Sequence, residues 1–181
     1  MDNGASSYRR YLEGDELAFE QIVKEYRDPL TFFIFGIVRD YQAAEDIAID
    51  VFAYLAAERR YSFKVTLKTY LYMLGRSRAI DHLRHRSRRQ TCDLKDAELY
   101  LSESMSPEEA LLAEEEKREL HRAIAELPEK MRTVIYLIYF EELTYEEAAK
   151  VMKTNKKQVD NLLYRAKAAL RSTITRKGIL V

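Results

Sequence analysis

The sequence predicts an all-α protein built as two small helical domains joined by a flexible acidic linker. Three observations carry that expectation. Apolar residues recur at three- and four-residue spacing through most of the chain, and no stretch shows the strict alternation of a strand. The 181 residues include only 5 Gly and 3 Pro, so few helices are interrupted. The formal net charge is +0, yet the charges lie in blocks. Residues 75–92 hold six Arg against one Asp, residues 93–120 hold ten acidic side chains against three basic, and residues 150–177 hold nine basic side chains against one Asp. Two basic blocks around an acidic one suit contacts with a polyanion, the alternative being solvated helix faces.

The elements follow in order. Asp15 is a candidate N-cap for a helix carrying Phe19, Ile22, Val23, Tyr26 and Leu30 on one face. Pro29 falls late in that pattern and is expected to kink it. Residues 32–38 are apolar all round and are expected to be buried on every side. Asp40 opens a helix with Ala44, Ile47, Ala48, Val51, Phe52 and Leu55 inward. A polar and aromatic interval, Tyr61–Thr66, precedes a helix with Leu67, Tyr70, Leu71, Leu74, Ala79 and Leu83, which runs out near Arg89. Residues 90–105 lack periodicity and read as the linker. Ser106, Pro107 and Glu109 then supply an N-cap, an N1 proline and the N3 arm of a capping box. That helix runs to Leu127, and Pro128 restarts one carrying Val134, Ile135, Leu137 and Ile138.

The segment 144–167, TYEEAAKVMKTNKKQVDNLLYRAK, holds two helix starts in close succession. Thr144 with Glu147, and Asn155 with Gln158, have capping-box spacing. Only Lys153, Thr154 and Asn155 separate the two helices, so the chain must turn sharply: a helix-turn-helix. Val159, Leu162, Leu163, Ala166 and Leu170 face inward. Lys156, Lys157, Gln158, Asp160, Asn161, Tyr164, Arg165 and Lys167 are left outward or on the flanks. Lys and Arg suit phosphates, and Asn, Gln and Arg suit base edges in a major groove. An ordinary helical hairpin with a solvated basic face fits the same pattern.

Other chemistries find little support. The single Cys92 excludes an internal disulfide framework and a multi-cysteine zinc site. His82 and His85 share a helix face, but Arg76, Arg78, Arg84, Arg86, Arg88 and Arg89 surround them and repel a cation. A metal-dependent enzyme is therefore disfavoured, and no cofactor is expected. The longest apolar run, LTFFIFGIV over 30–38, is too short to cross a bilayer, and residues 1–10 are polar. The expected location is the reducing cytoplasm, without membrane insertion.

The helix-turn-helix and its surroundings resemble region 4 of a sigma-70-type RNA polymerase sigma factor. The matching residues are Leu127-Pro128-Glu129 with Arg132, Val134 and Leu137, then Leu143 through Ala149, Val159, Leu163, Arg165-Ala166-Lys167 and Leu170-Arg171. The first half independently resembles region 2, through Asp15, Ala18-Phe19-Glu20, Tyr26, Ala44 through Ile47, Asp50-Val51-Phe52, Tyr70-Leu71-Tyr72, Arg76, Arg78 through Asp81 and Leu83-Arg84. Together they resemble the short extracytoplasmic-function class. The resemblance places region 2 at residues 10–90, the linker at 91–106 and region 4 at 107–177.

It implies a bacterial initiation factor, not an enzyme, with core RNA polymerase as partner through the clamp helices of β′ and the flap of β. Promoter DNA and an anti-sigma factor are the other implied partners. Glu45, Asp46, Asp50 and Phe52 stand where the clamp surface lies. Tyr61, Phe63 and Lys64, with Tyr70, Arg76, Ser77, Arg78 and Arg84 on the adjoining helix, stand where the −10 element is captured. Aromatics with cations suit unstacked bases and their phosphates; Tyr72 is expected in the core instead. The outward residues of the second helix of the helix-turn-helix fall to the −35 element.

The chain departs from the family pattern in several places. Lys153 replaces a turn Gly, Asp160-Asn161-Leu162 replaces basic and Ser-Arg residues, and Ser77, Tyr70 and Ile49 replace Asn, Trp and Gln. A regulator that binds DNA without polymerase is the alternative. The carboxylates of Glu108–Glu109 and Glu114–Glu116 are also placed to compete with DNA phosphates for either basic domain.

Overall fold

The computed structural model of the chain describes residues 4–89 and 119–177. The acidic segment up to residue 118, Cys92 and the Ser106 capping box lie outside the described residues. All regular structure among the described residues is helical. The first domain contains α1 (Ala5–Leu12), α2 (Glu16–Val38), α3 (Tyr41–Glu58) and α4 (Leu67–Arg89). The second contains α5 (119–125), α6 (Glu129–Ile135) running directly into a π-helical turn (Tyr136–Phe140), α7 (Tyr145–Met152) and α8 (Lys156–Lys177). Among the described residues, no helix is long and apolar enough to cross a membrane. No group of three or more His, Cys, Asp or Glu is placed to hold a metal ion there.

Local chemistry fixes most boundaries. The Asp15 carboxylate accepts from the Ala18 N–H and that of Asp40 from the Ala43 N–H, as expected of N-caps. Thr66 caps α4, its hydroxyl accepting from the Thr69 N–H at 3.1 Å. The two apolar patterns around Pro29 form one continuous helix, α2, which passes through the proline. Proline removes one N–H from the ladder, but burial of Leu30, Phe33, Ile34, Phe35, Ile37 and Val38 holds the helix together.

One element was not expected. α1 precedes Asp15 and is anchored by Tyr8, which is fully buried. It begins at Gly4, where φ is 73°. A Cβ there would lie 2.9 Å from Leu67 Cδ2 and 3.1 Å from the Tyr26 ring, so both the left-handed backbone and the missing side chain are needed.

The two domains share one continuous apolar core, with α2 and α4 of the first against α6 and α7 of the second. A polar seam runs along this contact. Arg132 donates from Nε to the Gly36 carbonyl at 2.7 Å, and from Nη1 to Ala125 at 3.0 Å and Leu127 at 2.8 Å. Arg39 donates to the Ala125 carbonyl as well. Burial, and next the nearby Arg39 cation, push the Arg132 guanidinium down to about 10, which still leaves it charged at neutral pH. Lys68 reaches the Glu141 carbonyl at 2.7 Å and its carboxylate at 3.1 Å. The hydroxyls of Thr66 and Thr69 each lie 3.1 Å from Glu147 Oε1.

Candidate nucleic-acid interface

The helix-turn-helix is built as its caps require. The Thr144 hydroxyl accepts from the Glu147 N–H at 3.3 Å, while Glu147 Oε2 accepts from the Thr144 N–H at 3.0 Å, completing a capping box. Asn155 Oδ1 accepts from the Gln158 N–H at 2.9 Å. The Gln158 side chain bonds the Thr154 hydroxyl instead of turning back to the Asn155 backbone. Between the helices Lys153 is left-handed, at φ 53°. That conformation costs a non-glycine residue roughly 1 kcal/mol, which explains why glycine suits this turn.

Val159, Leu163 and Ala166 bury the inner face of α8. Lys156, Lys157, Gln158, Asp160, Asn161, Tyr164, Arg165 and Lys167 are all exposed, Tyr164 at 75%. Lys156 donates to Glu146 Oε1 at 2.6 Å. That bond raises the ammonium and holds the carboxyl below its usual range. The Lys167 ammonium lies 5.8 Å from the Tyr139 ring centre, and its bond to the Tyr139 hydroxyl raises it.

In the first domain the expected −10 residues separate into two groups. Phe63 and Lys64 are exposed on the loop between α3 and α4. Phe63 sits at φ 57°, a conformation that a bulky side chain adopts only when its surroundings force it. Tyr70 is half-buried with its ring centre 5.3 Å from that of Tyr61, Ser77 is half-buried, and Arg84 is exposed beside Asp81. Arg78 spans from Asp50, at 3.9 Å, to the face of Tyr54.

Two residues of that set are covered. Tyr61 is only 5% exposed, and its hydroxyl donates to the Val65 carbonyl at 2.6 Å. It braces the loop and does not present a face to a base. Arg76 is 8% exposed and turns toward Glu129 of the second domain, 3.8 Å away. The resemblance that grouped it with Arg84 could not show that another domain would cover this face.

The acidic set divides in the same way. Asp46 and Asp50 are exposed, and Glu45 is half-buried with Arg27 at 3.6 Å. Phe52 is 5% exposed and belongs to the core, so the apolar neighbour these carboxylates present outward is Ile49. Tyr72 is buried beside Phe33, as expected.

Sequence reasoning missed Tyr8 and Arg9. The Tyr8 ring lies 5.4 Å from Tyr61 and 6.0 Å from Phe63, and the Arg9 guanidinium lies 4.9 Å over the Phe63 ring. Burial pushes the phenols of Tyr8, Tyr61 and Tyr70 above their ordinary value, so all three stay neutral rings.

Comparison with known proteins places the chain in a family. Sigma-70 region 2 matches residues 22–89, and sigma-70 region 4 matches residues 117–170. The RNA polymerase sigma-H factor of Pseudomonas aeruginosa is 33% identical over 171 residues, 89% of this chain and 88% of the relative. The ECF RNA polymerase sigma factor SigW of Bacillus subtilis is 29% identical over 174 residues, 90% of this chain and 91% of the relative. The chain belongs to the extracytoplasmic-function branch of the sigma-70 family.

This sigma factor is a transcription initiation factor, from a family whose members are not in general enzymes. Its fold also matches the sigma factor RpoE of Bartonella quintana, solved in complex with the anti-sigma factor NepR. The TM-score is 0.72 at 18% identity, over 87% of this chain and 96% of that one. The region 2 match begins at residue 22, inside α2, so α1 lies outside it.

Proposed function

We propose that this sigma factor brings core RNA polymerase to its promoters by dividing the promoter between the two domains. α8 enters the major groove of the −35 element. Lys156, Lys157, Arg165 and Lys167 meet phosphates, while Gln158, Asn161 and Arg165 address acceptor and donor edges of bases. Asp160 contributes an acceptor for a cytosine amino group, and Tyr164 an apolar contact. The outer face of α8 carries this proposal, because eight polar or aromatic side chains stand exposed on one helix whose opposite face is buried.

The loop between α3 and α4 captures an unstacked base of the −10 strand on Phe63, with Lys64 at the backbone. Tyr70, Ser77, Arg78 and Arg84 line the path beyond it. Unstacking costs a few kcal/mol per step, so polymerase binding must share it. Glu45, Asp46 and Asp50 around Ile49 dock on the β′ clamp helices, with carboxylates steering a basic partner onto an apolar contact. The exposed aromatics Tyr139 and Phe140 offer the second domain an apolar contact for the β flap. An anti-sigma factor is the regulatory partner. The protein works in the cytoplasm and performs no covalent chemistry.

Run-off transcription with core polymerase, with and without the protein, on promoters from its host tests this directly. Transcripts that require both components are expected. Tight duplex binding by the chain alone, with neither core binding nor transcripts, would make it an independent regulator.

A further inference from the structure

We propose that α1 completes the −10 capture site, with Arg9 as the residue that hands the Phe63 ring to a single-stranded base and takes the neighbouring phosphate. This rests on the assignment of the loop between α3 and α4 to the −10 strand. α1 lies outside the region 2 match, yet it packs directly under and beside that loop.

The geometry separates the two arginines at the end of α1. Arg10 is committed to Asp15, with Nε and Nη2 at 3.0 and 2.6 Å from one carboxylate oxygen. Arg9 is exposed, and its guanidinium lies on the Phe63 ring at 4.9 Å. An exposed cation–π contact of this kind is weak, and base–aromatic stacking is stronger. A base approaching Phe63 therefore displaces Arg9 at little cost. The displaced guanidinium stays within reach of the strand, where a phosphate is a better partner for it than a ring.

The ring is prepared for this exchange. Phe63 is 36% exposed, with its backbone held left-handed. Its underside is packed by Tyr61, with ring centres 4.6 Å apart, and by Tyr8. Tyr8 is a positioning residue: its hydroxyl donates to the Leu55 carbonyl at 3.2 Å and ties α1 to the end of α3. Lys64, Arg59 and Arg60 are exposed in the same loop, with the Arg59 guanidinium 5.5 Å over the Tyr11 ring and Arg60 paired with Glu58 at 3.0 Å.

The test uses holoenzyme assembled from core polymerase and the full chain, with a promoter probe whose −10 non-template strand is single-stranded. Arg9→Ala should weaken binding of this probe about tenfold and lower the slope of log affinity against log salt by about 0.7, the share of one phosphate contact on a single strand. Arg9→Lys should restore the salt slope and only part of the affinity. Core binding, duplex −35 binding and the melting temperature should not change. Phe63→Ala is the reference. If it weakens the probe and Arg9→Ala does not, α1 is not part of the site and the inference is overturned. If neither variant changes binding, the loop assignment itself fails, and the inference fails with it.

Discussion

α4 and α8 are near-equal basic helices, at 23 and 22 residues, that use their cations in opposite ways. On α4, Lys68 and Arg76 turn into the seam against Glu141 and Glu129. Arg78 reaches Asp50, Arg84 reaches Asp81, and Arg86 reaches Asp40 at 3.9 Å. On α8, Lys157, Arg165 and Lys167 stand exposed, and Lys156 meets one exposed carboxylate. Equal charge in the sequence is thus spent partly on the seam between the domains in α4, through Lys68 and Arg76, and kept on an outward surface in α8. A count of cations measures the supply of charge, while burial and pairing decide how much of it a polyanion meets.

Substitutions can break or sharpen that contrast. The largest effect belongs to a buried cation. Arg132→Met strands the carbonyls of Gly36 and Leu127, leaves that of Ala125 to Arg39 alone, and should cost about 3 kcal/mol in denaturant unfolding. A cost near zero would mean that the seam is not held by its charges. Lys68→Met leaves Glu141 in the seam without its cation and should cost about 2 kcal/mol by the same measurement.

Glu147→Gln comes next, with a loss of about 1 kcal/mol near neutral pH. Burial alone would raise the Glu147 carboxyl, but hydrogen bonds from Thr144, Thr69 and Thr66 outweigh it and hold the group below its ordinary 4.5. Its folded value is therefore below its unfolded one, so its stabilisation is complete above about pH 4.5 and disappears as pH falls through the lowered value. The stability gap between wild type and Glu147→Gln should close over that acidic range. A constant gap at all pH values would exclude the carboxylate's charge as its source.

The smallest effect on stability belongs to the displayed helix. Arg165→Ala should change stability by less than about 0.5 kcal/mol. It should still lower the salt slope of −35 duplex binding by holoenzyme by about 0.9.

The same contrast explains what was legible in the sequence. The helix-turn-helix could be read closely because its signals are local: Thr144 meets Glu147, and Asn155 meets Gln158, three residues apart. The outward face of α8 followed from the periodicity of Val159, Leu163 and Ala166. α1 was not legible because its anchor, Tyr8, finds its partners on Leu55, Tyr61 and Phe63, some fifty residues on. Burial of Arg76 and Arg132 was equally out of reach. The Arg132 guanidinium meets Gly36 across 96 residues, and no pattern within a helix records a neighbour supplied by another domain. Phe52 and Tyr61 were read as surface residues by resemblance, although the apolar spacing of α3 already placed Phe52 inward.

Glu147 serves two structures with two atoms. Oε2 closes the first turn of α7, while Oε1 receives the threonines at the head of α4. The start of the DNA-reading motif and the contact between domains are therefore inherited as one trait. A change at this position disturbs both at once, whereas the Thr69 side chain reaches Glu147 without capping either helix and can change while both caps stay whole.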